Sequence, residues 1–282
     1  MHQSMETGAN KPNHSLIDTK SLESQSIKDC HLSIQIGLNG FSFCIRNNAE
    51  VLAIESYNNS LSQLEGTIEK NKWLSQEYAS TNITISTKKY TLIPASLYKN
   101  EDRKKYLELN HIRTEQLDSL ADEVKPIGSY AVYGISKAEQ DIITSFFPKS
   151  TVKHFSSIHL PNMLAQHKNS EGKTMIVNID YKQMHITVID HSKLLYFNVF
   201  NHKTIHDCIY YILFVCEQLE LNPEHILLKL MGDVKKDSEF YDLAYTYIRH
   251  VNFAKRSVKL SPNTDSLLEH EHYTLLHQHL CE

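Results

Sequence analysis

One pattern of apolar and polar positions occurs twice along the chain. Residues 32–36 (LSIQI) alternate, residues 37–40 (GLNG) read as a tight turn, and residues 41–45 (FSFCI) alternate again. Asn47 and Asn48 mark a second turn before a third strand over 51–57. An amphipathic helix over about 60–79 follows, with Leu61, Leu64, Ile68 and Trp73 near helical spacing. The second half repeats the order: strands over 175–179, 184–189 and 194–200, then a helix opened by the capping-box-like residues Thr204 to Asp207. Residues 34–57 and 177–200 align without a gap at an offset of 143, pairing Ile36 with Ile179, Phe43 with Ile186 and Ile45 with Val188.

Each half continues with a strand, a helix and a strand. In the first half these are 130–134, a helix begun by Ser136 to Glu139, and 151–155. In the second they are 226–232, a helix over 238–250, and 252–255. Equating Gly134 with Gly232 gives an offset of 98, so the first half is expected to carry a 45-residue insertion within 80–128. Strands over 83–86 and 90–93 and a helix over 103–109 are legible there. The expected organisation is a disordered polar tail over 1–29, a first lobe over 30–169 with its inserted subdomain, and a second lobe over 170–282.

Composition narrows the class. With 41% hydrophobic and 22% charged residues in 282, the chain is globular and long enough for two lobes. A formal charge of −4 offers no general attraction to nucleic acid or acidic membranes. Five cysteines without CxxC pairing fit a reducing compartment better than a disulfide framework. No signal pattern opens the chain, and the longest apolar run, over 208–216, is half of what a bilayer requires. The expected location is the cytoplasm, without membrane insertion.

The duplicated order resembles the actin-like ATPase superfamily, and within it the pilus and secretion assembly proteins PilM and GspL and related bacterial families. The resemblance implies an α/β, duplicated ribonuclease H-like fold: two lobes, each with a five-stranded mixed sheet flanked by helices. It also implies ATP between the lobes, with phosphates clasped by the first turn of each lobe, acids beside those turns for Mg²⁺ and water, and a glycine pair after a late strand for adenosine. The matching positions here are Gly37, Asn39 and Gly40 in the first turn, Asp180 in the second, and Gly232 with Asp233 in the adenosine motif. Both family aspartates fall on amides, Gln35 and Asn178, which carry no charge. Asp180 stands where the family has glycine, and one glycine of the later pair is missing. The resemblance therefore implies a degenerate nucleotide site with no catalytic residues and no cofactor, and a scaffold or interaction role with a protein partner or self-association. The alternative is an ATP-binding protein or ATPase in which Asp180 or Asp233 handles Mg²⁺.

Other chemistry finds little support: P-loop, Rossmann, zincin and hydrolase motifs are absent. His270, His277 and Cys281 would share one face of a terminal helix, as metal ligands can, but a helix buried through Leu275, Leu276 and Leu280 explains the same residues. The inserted subdomain sets Tyr90, Tyr98 and Tyr106 beside Arg103, Lys104 and Lys105, a composition suited to a protein interface.

Overall fold

Each half opens with an antiparallel strand pair, closed by Gly37 facing Gly40 in the first and by Asp180 facing Gln183 in the second. The computed structural model describes residues 11–37, 40–58, 61–110, 117–180 and 182–281. In the first lobe β2 (His31–Gly37), β3 (Gly40–Arg46) and β4 (Val51–Tyr57) form an antiparallel meander. In the second, β10 (Lys173–Asp180), β11 (Gln183–Asp190) and β12 (Lys193–Asn201) do the same. The offset of 143 holds pair by pair: Phe41 faces Tyr57 as Met184 faces Phe200. Even the register shift repeats, between Ile45 and Arg46 and between Val188 and Ile189.

Parallel strands need a crossover, and helices supply it. In lobe II α6 (Ile205–Gln218), opened by the reciprocal Thr204–Asp207 capping box, leads to β13 (Leu227–Gly232), parallel to β10. Then α7 (Glu239–Tyr247) leads to β14 (His250–Phe253), parallel to β13. In lobe I α2 (Leu61–Lys70) leads to β5 (Ser80–Ile85), parallel to β2. Finally α4 (Lys137–Phe146), opened by the Ser136–Glu139 capping box, leads to β9 (Thr151–His154), parallel to β5.

Three expectations about organisation change. First, the partner of Gly232 is not Gly134. Gly232 faces Ile179 across β10, and Ile85 faces Ile36 across β2, so β5 is the counterpart of β13. The insertion runs from 87 to 136 rather than lying within 80–128. It holds β6 (Tyr90–Pro94), α3 (Arg103–Asn110), β7 (Leu117–Val124) and β8 (Ser129–Ser136) in a separate antiparallel sheet of order β6-β8-β7. Both 80–85 and 129–134 have strand pattern, and periodicity alone cannot say which one pairs with β2. Gly134 is there for packing: a Cβ would lie 2.8 Å from the Leu117 side chain.

Second, the N-terminal segment is ordered well before residue 29. Strand β1 (His14–Ile17) pairs antiparallel with β4 and extends the first sheet to six strands. It is followed by α1 (Thr19–Ser24), whose first turn is capped by Asp18 and which buries Leu22. Four residues are too few to show a period, so the polar composition masks them. Third, the chain after β14 does not stay with lobe II. Val51 donates its N–H to Lys259 O (3.0 Å), and Gln278 Nε2 donates to Ile34 O (3.0 Å). The short helix α8 (Tyr273–Leu276) packs Leu275 and Leu276 against Cys44, Val51 and Ile54 of lobe I. Between the lobes runs α5 (Phe155–His167), and its Met163 and Leu164 pack with Ile176, Ile189 and Met231 of lobe II. No helix among the described residues is long and apolar enough to cross a membrane.

Candidate functional site between the lobes

The two first turns face each other across the cleft that separates the lobes. Gly37 and Gly40 from one and Asp180 from the other line a cavity of about 120 Å³ with Ser42, Lys182 and Gln183. Asp180 also borders a neighbouring cavity of about 460 Å³, together with Gln35, Asn178, Gly232 and Asp233. Five of the six candidate residues therefore come together. The sixth, Asn39, lies outside the described residues.

Asp180 is the carboxylate at the centre. It accepts a hydrogen bond from Asn178 Nδ2 (3.2 Å), and its Oδ2 lies 3.9 Å from His185 Nδ1. Crowding by protein pushes its pKa up to about 6; the Asn178 bond opposes the shift and the charge of Asp233 adds to it. The carboxylate still keeps 39% of its side-chain surface open to the cleft, so solvent screens part of this effect. Gln35 sits half-buried in β2 and Asn178 is buried at the equivalent place in β10, and both line the larger cavity.

The glycines have local causes. A Cβ on Gly40 would lie 2.0 Å from Tyr57 O, so the close approach of β3 and β4 requires its absence. Gly232 has φ +85°, and a Cβ there would lie 2.2 Å from Ile179 O. A Cβ on Gly37 would meet Gly40 O at an ordinary 3.8 Å and nothing else among the described residues.

One wall of the cleft was not legible in the sequence. Glu271, His272, Tyr273 and Thr274 line the larger cavity. The Gly232 N–H donates to His270 O (3.0 Å), and His270 Nε2 bonds Val234 O (2.6 Å) while its ring stacks on Phe253 at 4.2 Å. His272 Nε2 lies 3.1 Å from Ser56 Oγ, which in turn accepts from Ser42 Oγ. Burial, with the nearby His14, pushes the His272 imidazole down to about 4. The terminal histidines thus serve separate ends: His277 stacks on Tyr273 and bonds its carbonyl through Nδ1 (2.7 Å). Among the described residues no three His, Cys, Asp or Glu side chains converge as a metal site.

Residues 19–251 match the family DUF3822, described as a protein of unknown function. The chain belongs to this family. The fold of this DUF3822 chain is the actin-like ATPase fold. It is similar to a Bacteroides thetaiotaomicron protein with actin-like ATPase fold and unknown function, at 23% identity and TM-score 0.73, covering 81% of this chain and 91% of that one. It is also similar to a PilM–PilN type IV pilus biogenesis complex, at 11% identity and TM-score 0.55, covering 89% and 97%. No curated protein sequence matches it.

Proposed function

We propose that this chain is a protein-interaction module of actin-like fold whose cleft does not hydrolyse ATP. The observation that carries this reading is the Gly232 loop. Its N–H is held by the carbonyl of His270, and residues 271–274 wall the cavity where the resemblance puts adenosine against this backbone. The residues present do not fit ATP with Mg²⁺. The positions for hard anionic ligands hold the neutral amides of Gln35 and Asn178, and Asp180 would set its carboxylate against the phosphates.

The competing reading draws on one fact: Asp180, Asp233 and Lys235 border the same cavity. Asp180 or Asp233 would supply the carboxylate of a re-routed Mg²⁺ site, with Lys235 as a cation for phosphate, and Mg²⁺-dependent turnover abolished by Asp180→Asn would establish it. Absence of turnover supports the interaction module.

A partner surface is available on the inserted subdomain. Leu97 and Leu109 are 66% and 79% exposed, beside a Tyr98–Tyr130 stack at 3.9 Å. Tyr106 donates to Leu97 O (2.8 Å) and fixes that loop, while Lys104 and Lys105 stand exposed around it. Apolar anchors within a polar rim are what a protein interface uses. PilM of similar fold is solved in complex with PilN, a precedent for protein binding by such a scaffold. The cytoplasm suits the buried free thiols of Cys30, Cys44, Cys208 and Cys216. Affinity capture of the intact chain tests the surface: Leu97→Ser with Leu109→Ser should lose a specific partner at unchanged melting temperature. Capture unaffected by this pair, and lost on changes around Asp180 instead, would move the interface to the cleft.

A further inference from the structure

Sheet register brings acids together on the wall of the larger cleft cavity. Ile179 faces Gly232 across the parallel strands β10 and β13, and the Asp233 N–H donates to Ile179 O (2.8 Å), so Asp180 and Asp233 leave the sheet side by side. The C-terminal segment adds Glu271, whose carboxylate accepts the Leu268 N–H (3.1 Å). Against these three carboxylates the lining residues set one ammonium, that of the exposed Lys235, and no ion pair joins it to them among the described residues. The His185 imidazole, 3.9 Å from Asp180 Oδ2, is kept neutral by burial and gives no counter-charge.

Other parts of the same wall point to what completes it. Thr274 lines the cavity, is 4% exposed, and has no hydrogen-bond partner for its Oγ1. A buried hydroxyl left unpaired carries a desolvation cost that an N–H group of a ligand relieves. Phe155 and Tyr273 stand beside it, and aromatic faces attract organic cations. A bare metal ion needs several converging ligands, and no three His, Cys, Asp or Glu side chains provide them among the described residues. The volume of about 460 Å³ is that of a small-molecule site.

We propose that the cleft binds a small organic dication, two ammonium or guanidinium groups joined by an alkyl stem, against Asp180, Asp233 and Thr274. The cationic groups give Asp180 and Asp233 the counter-charge that the protein withholds, and an N–H donates to Thr274 Oγ1. The stem lies along Phe155 and Tyr273. Two positive charges match the excess of three acids over one lysine on this wall. The amide oxygens of Gln35 and Asn178, neutral and weak toward Mg²⁺, are ordinary acceptors for further N–H groups. This activity goes beyond the interaction role, which rests on the inserted subdomain and survives a failure here.

Isothermal titration calorimetry on the full chain at low ionic strength, with agmatine and butane-1,4-diamine as probes, tests the proposal. At least one of the two amines is expected to bind saturably at one site, and butane-1,4-diol not at all. Asp180→Asn with Asp233→Asn should weaken the amine by about tenfold or more, and Thr274→Val by about threefold. Lys235→Ala, a change at an exposed side chain that spares the fold, should tighten it about threefold by removing the competing cation. No saturable heat with either amine overturns the proposal, even if a peptide bearing an arginine binds in their place. Binding that the paired acid variant leaves unchanged, that Lys235→Ala weakens, or that MgCl₂ displaces at equal concentration also overturns it.

Discussion

The Gly232 N–H donates to the carbonyl oxygen of His270, 3.0 Å away, and ties the last strand turn of the cleft to the C-terminal segment. That bond and the φ of +85° make Gly232 a structural requirement before any ligand is considered. Gly232→Ala should destabilise the protein by about 1–3 kcal/mol, through a strained backbone and a Cβ set against Ile179 O. Gly37→Ala, whose Cβ would make only an ordinary contact with Gly40 O among the described residues, should cost less than about 1 kcal/mol. Urea unfolding of the two variants provides the comparison. Equal losses would mean that the turn, rather than the packing, sets the need for glycine.

Replacing Asp180 should stabilise the protein, and only above a certain pH. The pKa of a carboxyl raised by folding from 3.8 to about 6 means that the folded state holds its proton more tightly than the unfolded state. The stabilisation that this gives is present below pH 3.8 and disappears as pH rises through about 6. At pH 7.5 the charged carboxylate is then a liability. Asp180→Asn should raise stability there by on the order of 1 kcal/mol after allowance for solvent screening, and by nothing at pH 4. Thermal melts at the two pH values check this; a gain independent of pH would locate the effect elsewhere.

The histidines at the lobe junction act in the opposite direction. His154 and His159 are buried, and burial pushes them down to about 4 and about 3, while their unfolded value is 6.5. His185, stacked on Phe155 at 4.0 Å, is driven well below its usual range for the same reason. The unfolded chain therefore binds more protons, and the contribution of these neutral rings is lost as pH falls below 6.5. Each should add up to about 1.4 kcal/mol per pH unit to the acid slope of stability. His159→Gln should flatten that slope between pH 6 and 4.5 in denaturant titrations. An unchanged slope would show that this ring is not held neutral.

The segment after β14 bridges the lobes: His270 and Tyr273 pack on lobe II, while Leu275 and Leu276 complete a cluster of lobe I. Leu276→Ala removes a fully buried side chain that packs on Cys44 and Ile54 and should cost about 2–4 kcal/mol. Hydrogen exchange should show the loss in β3 and β4 before β10 and β11. Protection lost first in lobe II would contradict the assignment.

The meanders were legible because alternation over 32–57 and 175–200 states strand, turn and face together, and the gapless offset survives even at the Ile45 and Val188 register shift. The fourth strand was not, since a strand pattern carries no record of its neighbour; 80–85 pairs with β2 and 129–136 with the inserted sheet. At the site, Asp180, Gly232 and Asp233 could be placed from the turn positions. His270 to Thr274 could not, because their place depends on sparse apolar residues such as Leu267 and Leu275 reaching back to lobe I.

Isothermal titration calorimetry with ATP and Mg²⁺ tests the central claim, that this cleft keeps the fold of a nucleotide site without its chemistry. With Gln35 and Asn178 at the acid positions and the Gly232 N–H engaged by His270, the expected result is no saturable heat. Saturable binding that requires Mg²⁺ and disappears in Asp180→Asn would contradict the account and establish a re-routed nucleotide site.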